Sequence, residues 1–206
     1  MMFVHEDSQM DYPAMPLPPM GRMMAFIDGE NLVARFQAMR DSGRTPTNEV
    51  MHRPDVYAWS LGTIDPWLNV VQRATYYTYT TGDPDQVQAV GLELQALKFA
   101  QHQRPGPPVF LQLGNNLYPR VFSKQKSRSG KGVDIQMTVD ILCNTYQNNL
   151  DVVYLVTGDG DFEPLIAECQ RQGKQVVVAA LSSGLSPKLR LVADRFFDLD
   201  NYYFAA

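Results

Sequence analysis

The chain has 206 residues, of which 45% are hydrophobic and 19% charged, and its formal net charge is −4. This composition is typical of a globular domain with a full-sized core, and the acidic balance excludes a generally basic nucleic-acid coat protein. We expect no membrane partner and no secretory signal, because apolar runs stay well below the ~20 residues of a membrane helix. Two cysteines without metal-ligand spacing predict buried thiols in a reducing, cytoplasmic setting.

The N-terminal region differs from the rest of the chain. Residues 1–20 contain five methionines and four prolines without periodicity, which predicts a flexible tail available to a protein partner or to a second copy of the chain. Residues 21–206 are then expected to form a single domain. Within it, residues 41–66 are polar and rich in turn formers, which predicts an insertion with a short helix near residues 56–61.

Short apolar strands alternate with amphipathic helices through the domain, which predicts an α/β fold with a parallel sheet covered on both faces. The predicted strands are residues 23–27, 70–81, 109–113, 152–156 and 176–181, with a short sixth strand at 196–199. Helices are predicted at residues 32–39, 87–100 and 185–193 and from residues 131 and 162 onward. Apolar residues lie all round the helix that begins at Lys131, so we expect that helix to be largely buried.

Carboxylates follow two of the predicted strands at the point where each strand ends. Asp28 comes directly after the first strand, and Asp159 and Asp161 follow the buried run at residues 152–156. Asp134 opens the helix that precedes this run. If the first and fourth strands are neighbours, their carboxyl ends meet at a topological switch point, where ligands bind in open α/β sheets. We therefore expect these acids to share one crevice.

Clustered carboxylates without a nearby histidine or cysteine favour a hard cation, Mg²⁺ or Mn²⁺. Such a cation suits phosphodiester hydrolysis, because it can generate a hydroxide nucleophile and stabilise the leaving oxygen. The adjoining residues 114–132 contain five lysines and arginines and no acidic residue, which suits contact with phosphates. Tyr118 and Phe122 in the same stretch are candidates for stacking on an unpaired base. The alternatives are a solvated basic loop and ordinary packing of the two rings.

Each acid also has a structural interpretation. Asp28 is placed to cap the first helix, and Asp161 is a natural N-cap for a helix that begins at Phe162. Asp134 would favour its helix N-terminus electrostatically. Asp140 lies about a third of a turn from Asp134 around the same helix, so we expect a structural hydrogen bond there rather than metal binding.

Three short motifs occur in order along the chain: FIDGEN at residues 26–31, KGVD at 131–134 and TGDGDFEPL at 157–165. Together they resemble the NYN domain of the PIN-like nuclease superfamily, and most closely its LabA-like bacterial branch. The resemblance extends from about residue 23 to residue 199. Three motifs in the right order and context are a much stronger signal than any one of them alone.

The resemblance implies a PIN-like three-layer α/β/α fold with a mainly parallel sheet of five or six strands, in the order 3-2-1-4-5. It also implies a ribonuclease that cleaves mainly single-stranded RNA endonucleolytically with Mg²⁺ or Mn²⁺. The implied catalytic acids and metal ligands are Asp28, Asp134, Asp159 and Asp161. Asn31 and Thr157 match positions that orient the first acid or the substrate phosphate. Lys131 and Arg128, in the adjoining basic stretch, are further candidates for contact with RNA.

Two departures from the family pattern leave a second function open. The insertion at residues 41–66 is long enough to cover or reshape the crevice, and Glu30 adds charge where relatives often carry a small polar residue. The alternative to the ribonuclease is a non-catalytic RNA-binding or regulatory adaptor that retains the fold.

Overall fold

The computed structural model describes residues 21–65, 69–99, 115–123 and 131–205. The strands, in chain order, are β1 (Arg22–Asp28), β2 (Met51–Arg53), β3 (Tyr57–Trp59), β4 (Val70–Thr80), β5 (Tyr118–Ser123), β6 (Val152–Val156), β7 (Gln175–Ala180) and β8 (Arg195–Asp198). Six of them form a parallel sheet in the order β5-β4-β1-β6-β7-β8. Counted along the chain, this is the predicted order 3-2-1-4-5, extended by a sixth strand.

Helices cover both faces of the sheet, which confirms the predicted three-layer α/β/α architecture. They are α1 (Gly29–Asp41), α2 (Pro84–Ala96), α3 (Lys131–Tyr146), α4 (Glu163–Arg171), α5 (Pro187–Val192) and α6 (Asp200–Tyr203). One core joins the sheet to α1, α2 and the β2–β3 hairpin, and a second core joins the opposite face to α3, α4 and α5. None of the helices in the described ranges is long and apolar enough to cross a membrane.

Strand β6 explains why the apolar run before the acidic turn is continuous. All five of its residues are buried, because β1 and β7 flank it within the sheet and helices cover both faces. The chain reverses its direction of travel across the sheet between β1 and β6, which pair from Met23 opposite Val152 to Ile27 opposite Val156. The two strands therefore end side by side, and the residues after Ile27 and Val156 meet at the predicted switch point.

The predicted short helix near residues 56–61 is wrong. The insertion instead forms the antiparallel β2–β3 hairpin, followed by a 3₁₀ turn at Leu61–Thr63. Ala58 and Trp59, in β3 of this hairpin, are fully buried, and the Ala58 amide donates a hydrogen bond to the Tyr76 hydroxyl at 3.3 Å. Burial against β4 and α1 decides this conformation. It also places the described part of the insertion on the α1 face of the sheet, away from α3 and α4.

The third strand of the sheet lies later in the sequence than the strand predicted at residues 109–113, which falls outside the described residues. Its place in the sheet is taken by β5, within the stretch that the sequence suggested as a basic loop. Phe122 packs against the core under α3, whereas Tyr118 is exposed and its ring centroid lies 5.0 Å from the guanidinium carbon of Arg73 and 5.6 Å from that of Arg120. An edge strand needs little apolar content, because its pairing with β4 depends on backbone hydrogen bonds.

The prediction that α3 is largely buried is wrong. Val133, Met137 and Ile141 form its buried face, whereas Ile135 is 63% exposed and Val139 is 46% exposed. Cys143 on the same helix is also exposed, contrary to the expected burial of both cysteines, and Cys169 on α4 is buried. The sheet covers one side of α3, whereas Ile135 and Val139 remain exposed on the side that faces α4.

Candidate active site

Asp28 occupies the centre of the switch point. It is the last residue of β1 and the N-cap of α1, and its Oδ1 accepts a hydrogen bond from the Asn31 amide at 3.0 Å. Its Oδ2 accepts a hydrogen bond from the Thr157 hydroxyl at 2.8 Å. Only 4% of Asp28 is exposed. Both carboxylate oxygens are thus held by donors, so the helix-capping role of Asp28 coexists with a fixed orientation toward the turn after β6.

The turn after β6 is tied to the turn after β1. Asn31 accepts a hydrogen bond through Oδ1 from the Gly158 amide at 3.0 Å. Within the turn, the Thr157 hydroxyl accepts from the Asp159 amide at 3.2 Å, and Asp159 Oδ1 accepts from the Asp161 amide at 2.9 Å. Asn31 and Thr157 therefore position the acidic loop against Asp28 by direct contacts.

Gly29 allows the first turn to approach the sheet closely. A Cβ atom at this position would lie 2.2 Å from a ring carbon of Tyr76 and 2.5 Å from the carbonyl oxygen of Tyr77. Any larger residue would push the start of α1 away from β4. The glycine of the FIDGEN motif is thus required by packing, and this packing places Asp28 and Asn31 opposite the acidic turn.

Like charges and burial raise the pKa of Asp28. Burial is the main cause, and the charges of Asp134 and Glu30 add to it, whereas the hydrogen bonds from Asn31 and Thr157 act in the opposite direction. The net result is a pKa of about 6 for the Asp28 carboxyl, against an ordinary value of 3.8. Raised carboxyl pKa values of this kind are typical of functional sites, where stability is not the criterion.

Asp134 belongs to the same electrostatic cluster. It lies in the first turn of α3 with an exposed side chain. Partial burial of its carboxyl group raises the pKa of Asp134, and the negative charges of Glu30, Asp159 and Asp161 raise it further. Asp134 therefore lies within electrostatic range of Asp28, Asp159 and Asp161, the other three sequence-predicted acids, and of Glu30.

A cleft of about 450 Å³ between α3 and α4 opens beside these acids. Its polar end is formed by Asp134, Asp159 and Asp161, and the exposed apolar residues Ile135 and Val139 form one wall. The remaining lining residues are Thr138, Leu142, Phe162, Pro164, Leu165 and Glu168. Sequence reasoning missed this wall. The signal was present, because α3 carries more apolar positions than one buried face can use.

The structure also settles two structural alternatives. Asp159, and not Asp161, caps the 3₁₀ turn Gly160–Phe162, and α4 starts at Glu163 without a side-chain cap. The capping role suggested for Asp161 is therefore wrong, because the 3₁₀ turn shifts the start of the helix. Asp140 makes the expected structural hydrogen bonds, since it accepts from the Tyr77 hydroxyl at 2.8 Å and from the Gln136 side-chain Nε2 at 2.9 Å.

The basic candidates are only partly described. Lys131 is the first residue of α3, three positions before Asp134, and Arg128 lies outside the described residues. Arg120, in β5, lies 3.8 Å from the Asp140 carboxylate and so belongs to the network around that acid.

The acids have the donor chemistry that a hard divalent cation requires. Their ligand atoms are all carboxylate oxygens, and their repulsion would be relieved by a bound cation. In the described ranges, however, no three histidine, cysteine, aspartate or glutamate side chains are grouped closely enough to hold a metal ion. The charge and the oxygen donors of these residues therefore suit a divalent cation, but the described residues do not form a complete ligand shell.

Comparison with known proteins identifies the family of the chain. The chain matches the model of the NYN domain over residues 22–200. It is 23% identical over 192 residues to the low amplitude and bright protein LabA of Synechococcus elongatus, a match that covers 87% of this chain and 84% of that protein. A shorter match, 36% identical over 66 residues, covers 32% of this chain and 28% of an uncharacterized protein of Methanocaldococcus jannaschii.

The fold is also similar to a crystal structure of a protein of unknown function from Vibrio parahaemolyticus. The TM-score is 0.57 at 20% sequence identity, and the match covers 93% of this chain and 100% of the other chain. This likeness supports the fold alone. The family match spans all three motifs and every described element that builds the acidic site. The chain therefore belongs to the NYN domain family, in its LabA-like branch, within the PIN-like nuclease superfamily.

Proposed function

We propose that this protein is a metal-dependent endoribonuclease that hydrolyses phosphodiester bonds in mainly single-stranded RNA. The observation that carries the proposal is the buried Asp28 carboxylate, which two hydrogen bonds aim at the switch point although burial, with a smaller contribution from like charges, raises its pKa to about 6. A fold that needed only stability would neutralise such a group. Its retention beside Asp134 supports a site built to receive positive charge.

Asp28, Asp134, Asp159 and Asp161 are the residues that would hold the cation. A divalent ion bound there would supply Lewis-acid stabilisation and lower the pKa of a water molecule. The chain itself supplies orientation. Thr157 holds one oxygen of Asp28 and also accepts from the Asp159 amide, so a single hydroxyl sets the relation between the acids of β1 and β6.

The cleft between α3 and α4 supports a polymeric substrate that is unpaired near the site. Its volume of about 450 Å³ suits one nucleotide, and its wall of Ile135 and Val139 suits the face of an exposed base. Lys131 and Arg128 are proposed to contact the phosphates that lead into the site.

The decisive experiment is cleavage of an end-labelled single-stranded RNA in Mn²⁺ by the wild type and by Asp159→Asn. The asparagine keeps an oxygen to accept from the Asp161 amide, so the turn is retained while the charge is lost. We expect cleavage to fall by more than about 100-fold, since even residues that merely support metal ligands account for 10–100-fold. Asp83→Asn, at the N-cap of α2, is the matched control and should cleave normally. Equal cleavage by Asp159→Asn and the wild type would rule out this site.

A non-catalytic RNA-binding adaptor is the second candidate. The observation that favours it is the lack of a complete ligand shell among the described residues. Calorimetric titration with Mn²⁺ separates the two functions. Binding by the wild type that is lost in Asp28→Asn supports the ribonuclease. RNA binding without Mn²⁺ binding or cleavage supports the adaptor.

A further inference from the structure

Arg35 on α1 has a charged nitrogen without a partner. Among the described residues, its Nε is the one buried side-chain nitrogen or oxygen atom that makes no hydrogen bond. Buried donors are almost always satisfied in folded proteins, so an exception calls for an explanation. Two neighbouring arginines form ion pairs within the protein. Arg40, also in α1, has its Nη2 2.8 Å from Oδ1 of Asp41, and Arg44, just after α1, has its Nη1 2.9 Å from Oδ2 of Asp200.

Arg35 lies beside the acidic site. It is one helical turn after Asn31, so the two side chains share a face of α1. Asn31 accepts from the Gly158 amide, next to Asp159. The carbonyl oxygen of Gly184, in the loop between β7 and α5, lies 3.4 Å from the point where a Cβ on Gly158 would stand. Three segments thus meet here: α1, the acidic turn and the loop that contains Gly184.

Gly184 provides the space in which the guanidinium of Arg35 lies. A Cβ at position 184 would be 2.2 Å from Cζ, 2.4 Å from Nη1 and 2.5 Å from Nε of Arg35. Gly184 also has a φ of +68°, in the left-handed region that favours glycine. The arginine is therefore held against the backbone of this loop in a defined position, and no ion pair joins it to a carboxylate in the described ranges.

We propose that Arg35 binds a phosphate of the RNA backbone next to the scissile bond, an inference that rests on the proposed function. The planar guanidinium presents several donors in a geometry that matches phosphate oxygens. The acidic cluster repels a phosphodiester, so a substrate needs a fixed positive group close to it. An arginine paired with a carboxylate would have little charge to offer. Arg35 is fixed in place and retains its charge for the substrate.

The test measures the affinity for a fluorescently labelled single-stranded RNA over a series of KCl concentrations in Mg²⁺. Every variant carries Asp159→Asn to prevent turnover. Relative to this parent, we expect Arg35→Gln to bind about 5- to 20-fold more weakly. The slope of log K against log salt should become shallower by about 0.7, the value for one phosphate contact on a single strand. Arg35→Lys, which keeps the charge, should retain the slope.

Arg40→Gln is the matched control, because Arg40 lies on the same helix but is paired with Asp41. We expect it to bind like the parent. Arg35→Gln with the affinity and slope of the parent would overturn the role of Arg35 and leave the proposed nuclease intact. A parent and a wild type that both fail to bind RNA at low salt would overturn the proposed function, and the role of Arg35 with it. The salt slope distinguishes a phosphate contact from a structural effect, because a misfolded variant would lose affinity at every salt concentration.

Discussion

The two ends of the β1–β6 strand pair each hold an aspartate, and the pKa values of these two aspartates are shifted in opposite directions. At the amino end, Asp151 accepts hydrogen bonds from Arg22 at 2.9 Å from Nη2 and 3.0 Å from Nε, and these bonds lower its carboxyl pKa to about 2. At the carboxyl end, Asp28 is buried among other carboxylates, and its pKa is raised to about 6. At one end of the strand pair, the negative charge of Asp151 is balanced by the guanidinium of Arg22. At the other end, no cationic side chain in the described ranges balances the charge of Asp28, and this lowers the stability of the folded state.

This contrast distinguishes a structural acid, Asp151, from Asp28, the acid that we propose to be functional. Asp151 joins the starts of β1 and β6, since it also accepts from the Arg22 amide and its own amide donates to the Arg22 carbonyl. Asp28 receives donors as well, but they orient it and do not cancel its charge. If the contrast is real, substitution of Asp28 and substitution of Asp151 should differ in four measurable properties.

The largest expected effect is on catalysis. Asp28→Asn should lower kcat/KM for RNA by more than about 100-fold, because it removes a proposed metal ligand, whereas Asp151→Asn should leave kcat/KM nearly unchanged. Single-turnover cleavage of labelled RNA in Mn²⁺ measures both variants. A similar loss in both would mean that the two ends do not differ in function.

The next effect is metal-linked stability. At Mn²⁺ concentrations of 100 times Kd, a ligand that binds the folded state adds about 2.7 kcal/mol, or a rise of about 5–11 °C in Tm for a chain of this size. We expect this rise in the wild type and in Asp151→Asn, and none in Asp28→Asn. Differential scanning fluorimetry provides the measurement. A full rise in Asp28→Asn would place the cation elsewhere.

A third effect concerns stability without metal. The folded pKa of Asp28 is about 6, above the unfolded value of 3.8, so the folded state binds the proton more tightly. This contribution is fully present below pH 3.8 and is lost as the pH rises through 6. Asp28→Asn imitates the neutral acid, so its unfolding free energy should not fall in this way. As the pH rises from 4 to 7, its advantage in unfolding free energy over the wild type should grow by about 1–3 kcal/mol. Urea unfolding at several pH values tests this, and a difference that does not vary with pH would contradict it.

The smallest effect belongs to the ion pair. Asp151 has a pKa of about 2 in the folded state, below its ordinary 3.8, so its contribution is present above pH 3.8 and is lost as the pH falls through 2. Because the pair is largely exposed to solvent, Asp151→Asn should lower Tm at pH 7 by only about 1–3 °C. The loss should shrink in acid and in high salt. If thermal scans show that the difference in Tm between Asp151→Asn and the wild type grows in acid, Asp151 is not stabilised by this ion pair.

Much of the site followed from local sequence. A buried strand needs a continuous apolar run, and a turn that ends such a run in Asp159 and Asp161 is visible without coordinates. The order of the strands followed from the family resemblance. The places where prediction failed have a common cause: β3, β5 and the exposed face of α3 depend on what packs beside them. The conformation of Trp59 is decided by the core beneath α1, and the exposure of Ile135 by the absence of a covering element in the described chain.

The amino-acid sequence is sufficient to predict a parallel α/β protein of the NYN type, with acids at the ends of two strands. Those properties depend on residue order over short distances. The contacts between distant residues are visible only in the folded chain: Thr157 with Asp28, Asn31 with Gly158, and Arg35 with Gly184. Each pair joins residues more than a hundred positions apart, and only the packing of β1 against β6 and of α1 against the loop after β7 brings them into contact. Charge balance, and with it the contrast between Asp28 and Asp151, is a property of those contacts.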